Sequence, residues 1–214
     1  MKALEIKNLT IDYGKGAVLR DFSLEVAAGC AMQIQGPSGC GKSTLLHAIC
    51  GLIPSPIQAE ISGEILLFGR PVGQLSVAER AQKIGIVFQN PETQLFCDTV
   101  EDEIAFGLEN ICMPVEQMGA RIAEMLALVG LEEFRHSSPK ELSGGQKQRL
   151  VLAAVLALDP QILLLDEALS QLDEGGKMAM LRHLEALAGQ GKTILAVDHD
   201  ELGGKLWEKI LEIS

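Results

Sequence analysis

The stretch 36-GPSGCGKST-44 sets three glycines, a lysine and several hydroxyl residues directly behind the apolar run 31-AMQIQ-35. The apolar run reads as a strand, and 43-STLLHAIC-50 reads as a helix closed by Gly51. From Gly36 to Ser43 the residues fit G-x-x-x-x-G-K-[ST] completely. Glycines in this pattern let backbone N–H groups turn toward phosphate oxygens, and the helix N-terminus adds its dipole. Ser38, Gly39, Cys40, Gly41 and Thr44 belong to the same cradle. Lys42 is placed to reach β- and γ-phosphates, and Ser43 to ligate Mg²⁺. A flexible turn would explain the glycines, but not the order of strand, loop and helix.

Three more apolar runs end in polar residues. The run 84-IGIVF-88 ends at Gln89, 162-ILLL-165 at Asp166 and Glu167, and 193-TILAV-197 at Asp198 and His199. Continuous apolar runs of this length suit buried parallel strands. Ligands of open parallel sheets bind beyond the carboxyl ends of the strands. If the strands are parallel neighbours, Lys42, Gln89, Asp166, Glu167 and His199 arrive at one edge. Asp166 would then hold Mg²⁺, and Glu167 would polarise an attacking water.

Residues 1–29 read as short strands with turns, with Leu4 and Ile6 alternating, then Phe22, Leu24 and Val26. Between the parallel runs lies a helical region, about 91–157. In 116-EQMGARIAEMLALVG-130, Ile122, Met125, Leu126 and Val129 share one helical stripe, and Gly130 can close the helix. A second helix is predicted over about 145–158, with Leu150, Ala154 and Leu158 on one stripe. Its start, 142-LSGGQ-146, holds Ser143 as a cap, with Gly144 and Gly145 leaving backbone donors unshielded: a second anion site.

The bulk numbers narrow the partners. A net charge of −11 argues against nucleic acid bound by bulk electrostatics, since phosphate backbones want basic surfaces. A single Tyr and a single Trp make a stacking platform for bases a poor fit. Five cysteines without a Cys-x-x-Cys read as free thiols in a reducing compartment. The N-terminus lacks a signal-peptide core, and the longest apolar run, 150-LVLAAVLAL-158, is too short to span a bilayer. The chain is expected to be soluble, reaching a membrane only as a peripheral partner.

In this order the motifs resemble the ATP-binding subunit of an ATP-binding-cassette (ABC) transporter over nearly the whole chain. The Walker A loop is 36–44, the Q-loop residue Gln89, the signature 142–146, Walker B 162-ILLLDE-167, the D-loop 170-SQLD-173 and the switch histidine His199. The resemblance implies an α/β fold with a P-loop NTPase (RecA-like) core, an N-terminal antiparallel β subdomain and an inserted α-helical signature subdomain. One domain would cover 1–214, with the core at 1–90 and 158–214 and the helical part at 91–157. It implies ATP and Mg²⁺ as ligands, with Ser43, Gln89 and Asp166 as metal ligands. Tyr13 sits where the family stacks an aromatic on adenine. Glu167 would act as general base, with Gln89 and His199 at the γ-phosphate. Two ABC ATPase subunits would pair head to tail, as a homo- or heterodimer. Ser143, Gly144, Gly145, Gln146 and Asp173 would then serve the nucleotide of the partner. Dimer closure would drive a transmembrane subunit from the cytoplasmic face of the membrane.

A narrower resemblance lies in 87-VFQNPETQLF-96 and 100-VEDEIAFGLEN-110, which are similar to the ATPases of energy-coupling-factor importers of vitamins, cobalt and nickel. The segment after Gln89 is where such subunits receive the membrane component. A C-terminal extension that often holds that dimer together is either absent or lies beyond residue 214. A DNA-repair or translation ATPase is the rival reading. No coiled-coil insertion separates Walker A from the signature, and there is one cassette, not two. An ATP-glued, non-catalytic module is disfavoured by Glu167, Gln89 and His199. An exporter remains open, since direction belongs to the membrane subunits.

Three positions carry further expectations. Ala168 stands where proline often follows the Walker B glutamate. Asp198 stands where threonine is common, and a carboxylate there is expected to favour protonated His199 and shift the pH optimum. Cys40, near Lys42 and a helix N-terminus, is expected to react with alkylating agents, with ATP protecting it.

Overall fold

The computed structural model describes residues 1–170, 172–199, 201–203 and 206–213. Strand β1 (Lys2–Asp12) and strand β2 (Ala17–Ala27) form an antiparallel hairpin of eleven-residue strands, longer than the short strands predicted. Register shifts along the pair bend it, so the strands run on where simple alternation breaks. The connection 13–16 is closed by Asp12 Oδ1, which accepts the N–H of Gly14 at 2.6 Å and of Gly16 at 3.2 Å. That turn carries Tyr13.

Strand β3 (Ala31–Gln35) runs into the phosphate loop, and helix α1 (Lys42–Ile49) leaves it. Strands β4 (Glu60–Leu67) and β5 (Arg70–Pro71) complete the first sheet, in the order β2-β1-β4-β5. A short helix α2 (Val77–Ala81), capped by Ser76 and Glu79, precedes β6 (Ile84–Val87). Helices α3 (Val100–Asn110), α4 (Val115–Val129) and α5 (Gly144–Ala157) come before β7 (Ile162–Asp166). Then follow α6 (Glu174–Gly189), β8 (Thr193–Asp198) and β9 (Lys209–Glu212).

The second sheet is parallel throughout, in the order β6-β7-β8-β3-β9. Every residue of β7 and β8 is buried, as expected of strands covered on both faces. Alternation divides the core. Leu163 and Leu165 pack with the helices α3 to α6, while Ile162 and Leu164 pack with α1 and the antiparallel sheet.

In α4 the buried residues are Ile122, Met125, Leu126 and Val129, the predicted stripe, and Gly130 closes the helix with φ +64°. Helix α5 departs from expectation. Ala154 and Leu158 are only partly covered, whereas Leu150, Val151, Leu152, Ala153, Leu156 and Ala157 are buried. The reason is that α5 packs against α3, α4 and β6, so more than one side of it faces protein. Each helix of the α4–α5 pair caps the other. Arg121 donates to Leu156 O at 2.8 Å and Ala157 O at 3.1 Å, and Arg149 donates to Val129 O at 2.7 Å. Cations at these carbonyl ends complement the helix dipoles. Among the described residues no helix is long and apolar enough to cross a membrane.

Candidate functional site

Four parallel strand ends bring their polar residues to one edge. The loop after β3 wraps a cavity of about 300 Å³. Ser38, Gly39, Gly41, Lys42, Ser43 and Thr44 line it, with Gln89, Glu167 and His199 opposite. Gly41, at φ +99°, turns the chain into α1 in a conformation that disfavours side chains. Gly36 and Cys40 stand behind the lining. A Cβ on Gly36 would come within 2.4 Å of Ile213 O and 2.8 Å of Cys40 Sγ, so only glycine admits the residue after β9 so close.

Lys42 is buried, 4% exposed. Its ammonium donates to Gly36 O at 2.7 Å and Pro37 O at 3.0 Å, and stands 3.5 Å from His199 Nδ1. Ser43 Oγ donates to Asp166 Oδ1 at 2.9 Å. Burial pushes the Asp166 carboxyl above the usual range, and the Ser43 hydroxyl pulls it partly back. A bound cation would reverse that shift. One hydroxyl and one carboxylate beside a phosphate cradle is a donor set that suits Mg²⁺, which takes few protein oxygens and completes its shell with phosphates and water.

Glu167 is held at both oxygens. Gln89 Nε2 donates to Oε2 at 2.6 Å, and His199 Nε2 lies 2.9 Å from Oε1. Its backbone has φ +48°, unusual for a non-glycine residue and of the kind found where function over-determines geometry. Asp198 Oδ1 accepts the backbone N–H of His199 at 2.7 Å, and the carboxylate bonded to the imidazole is that of Glu167. Tyr13, exposed at the hairpin turn, donates its hydroxyl to Thr44 Oγ1 at 3.3 Å, which ties the turn to the loop. Val18, also in the lining, carried no sequence signal.

A second cavity of about 530 Å³ lies elsewhere on the chain, lined among others by Ser143, Gly145, Gln146 and Asp173. Ser143 Oγ accepts the Gln146 N–H at 3.3 Å, and Gln146 Oε1 accepts the Ser143 N–H at 2.7 Å, a reciprocal cap. Asp173 Oδ1 caps α6 through the Gly176 N–H at 2.7 Å. The two cavities share no lining residue. Gln171, within 170–173, lies outside the described residues.

Sequence reasoning left Cys40 as the reactive thiol. Burial pushes the thiol of Cys50 up to about 12, and burial with Glu103 nearby pushes that of Cys97 up to about 11. Cys30 is raised by burial as well, so these three stay protonated near neutral pH. Cys112 is exposed and does not line the cavity. Alkylation of Cys40 is therefore expected to abolish nucleotide binding, with ATP slowing the loss. Equal sensitivity in Cys40→Ser, measured by residual ATP binding, would show that another thiol is responsible.

A parallel sheet with a phosphate loop, an Asp–Glu pair at the end of another strand on the same edge and a second glycine-rich helix start defines a P-loop nucleoside triphosphatase. The family model described as ABC transporter matches residues 19–170. An energy-coupling factor transporter ATP-binding protein, EcfA1, of Streptococcus thermophilus is 41% identical over 201 residues, 92% of this chain and 71% of its own length. EcfA1 of Leuconostoc mesenteroides is 39% identical over 217 residues, 100% of this chain and 78% of the relative. Among solved structures, cbiO1 of Clostridium perfringens, part of an ABC transporter complex, superimposes with a TM-score of 0.76 at 30% identity, covering 93% of this chain and 79% of that one. An ATP-binding cassette solved as a dimer after hydrolysis, with ADP and Pi, gives a TM-score of 0.86 at 30% identity, covering 99% and 94%. The chain belongs to the ABC transporter family, in its ATP-hydrolysing class.

Proposed function

We propose that this chain energises a solute importer of the energy-coupling-factor type, hydrolysing ATP at the edge of the parallel sheet. The observation that carries the reading is Glu167, strained and buried, with one oxygen at Gln89 and the other at His199, beside Lys42. ATP lays its phosphates on the N–H groups of 38–44 and on Lys42, and Tyr13 faces its base. Ser43 and Asp166, with Gln89, would hold Mg²⁺, which would supply positive charge to the phosphates. Glu167 polarises the attacking water, and Gln89 and His199 orient water and γ-phosphate. Positioning and charge account for most of phosphoryl transfer, so these groups suffice.

A cavity that holds the signature residues but none of the phosphate loop supports a second ATPase subunit as their user. Ser143, Gly144, Gly145 and Gln146 then complete the partner's ATP site, with Asp173 at the seam. The partner is a second copy or a diverged relative. No nucleic acid is needed. The family reading puts the pair at the cytoplasmic face of the membrane, and the resemblance to vitamin and metal-ion importers names the class of solute.

A transmembrane component is suggested by an apolar groove of about 570 Å³ between α2, α3 and α5. At its rim Phe96 is 65% exposed and Phe106 45% exposed, with ring centroids 4.7 Å apart, edge to face. Phe96→Asp with Phe106→Asp is expected to abolish co-purification with the membrane component from detergent extracts while leaving ATP binding intact. Retained co-purification would move the docking surface elsewhere and weaken the transport reading.

A further inference from the structure

We infer that Gln94 and Gln148 are positioning residues for Gln89: their side-chain amides clamp the peptide groups of Phe88. The clamp ties the catalytic glutamine to the apolar groove on one side and to the signature helix on the other. The inference rests on the ATPase reading for what Gln89 does, but its geometry stands by itself.

Strand β6 is an edge strand, with β7 on one side only. The edge leaves backbone groups in need of partners just before Gln89. Gln94 supplies them. Its Oε1 accepts the Phe88 N–H at 2.7 Å, and its Nε2 donates to Ile86 O at 3.1 Å. A primary amide carries the same donor and acceptor as a peptide, so one side chain completes the ladder as a neighbouring strand would. Gln94 also lines the groove beside Phe96, so whatever fills the groove bears on this bond.

Gln148 holds the other side of the same residue. From α5 its Nε2 donates to Phe88 O at 3.3 Å. The side chain is 2% exposed, and its Oε1 is buried without a hydrogen-bond partner among the described residues. Leucine there would avoid stranding a polar atom, so the glutamine costs stability in exchange for a tether. A second link runs from the same helix to the same loop, Lys147 Nζ to Glu92 Oε1 at 2.6 Å. The ring of Phe88 meets His47 of α1 edge-on at 5.6 Å. Phe88 is thus fixed by its N–H, its carbonyl and its ring. The next residue is Gln89, whose amide sits 2.6 Å from Glu167.

The test uses Gln94→Ala, Gln94→Glu and Gln148→Leu in the full chain. Misplacement of a catalytic group by a fraction of an ångström is expected to lower kcat about tenfold while KM for ATP stays within about twofold. Gln94→Glu keeps the acceptor for Phe88 and loses the donor, so it falls between wild type and Gln94→Ala. Gln148→Leu keeps or raises Tm, yet still lowers kcat, which a purely structural glutamine would not do. In a Gln89→Ala background the same substitutions cause no further loss. An unchanged kcat, or an equal loss in both backgrounds, overturns the clamp. If the wild type itself hydrolyses no ATP, it is the ATPase reading that fails. Hydrogen exchange then decides the clamp: faster exchange at the Phe88 and Gln89 amides in Gln94→Ala supports it, and wild-type protection refutes it.

Discussion

Glu167→Gln binds ATP as tightly as the wild type and hydrolyses it about 10²–10⁴-fold more slowly, the usual contribution of one acid–base group. The substitution is close to isosteric, and its amide oxygen still accepts from Gln89 Nε2. Neither side chain is β-branched, so the left-handed backbone of position 167 strains both alike and folding is expected to be spared. What is lost is the carboxylate that takes charge from the attacking water. With hydrolysis blocked, the ATP-bound form accumulates. Size-exclusion chromatography with light scattering is expected to show a shift from monomer to dimer on adding Mg-ATP, because each nucleotide is then held between one phosphate loop and the other chain's Ser143–Gly145. Wild-type turnover would remove Glu167 from the role of base. Binding of ATP without a shift in mass would mean that the homotypic pair is not the working dimer, and mixed pairs with a diverged ATPase become the next sample.

Lys42→Ala is expected to fail earlier, at binding. The wild-type ammonium is buried and held by Gly36 O and Pro37 O, so its charge is aimed into the cradle before nucleotide arrives. A charge-assisted bond of this kind is worth about 1.5–3 kcal/mol, or about 10- to 100-fold in Kd for ATP. Titration calorimetry reads this directly. Lys42→Arg should not restore affinity, since a planar guanidinium is too wide for a pocket made by two loop carbonyls. An unchanged Kd in Lys42→Ala would place the phosphates elsewhere. The two variants separate cleanly: one loses affinity, the other keeps affinity and loses turnover.

The readings that proved legible are those in which neighbouring residues carry the whole geometry. Strand 31–35 and the glycine loop appear as read, and the helix read over 43–50 appears one residue earlier, at Lys42–Ile49, because turn, dipole and lysine lie within nine consecutive positions. The buried stripe of α4 and its glycine stop are equally local. Helix α5 was less legible, because a stripe describes a helix with one partner and α5 has several. The long β1–β2 hairpin was underestimated because its register shifts interrupt the alternation that marks a strand. That a carboxylate, Asp198, stands beside His199 is legible from adjacency in sequence. In space the imidazole meets Glu167, which arrives on a different strand.

Sequence alone determined the class of this protein. Phosphate binding needs backbone donors, a dipole and a cation at fixed short spacing, and such spacing survives any arrangement of the rest. Tertiary structure decided which strand ends are neighbours. The parallel order β6-β7-β8-β3 brings Gln89, Glu167, His199 and Lys42 to one cavity, and apolar clusters on both sheet faces hold it there. It also decided that Gln94 would bond the open edge of β6 and that Gln148 would bond the Phe88 carbonyl. Periodicity along the chain records which residues seek the core. It does not record which unpaired backbone group, up to 60 residues away, a buried amide will find.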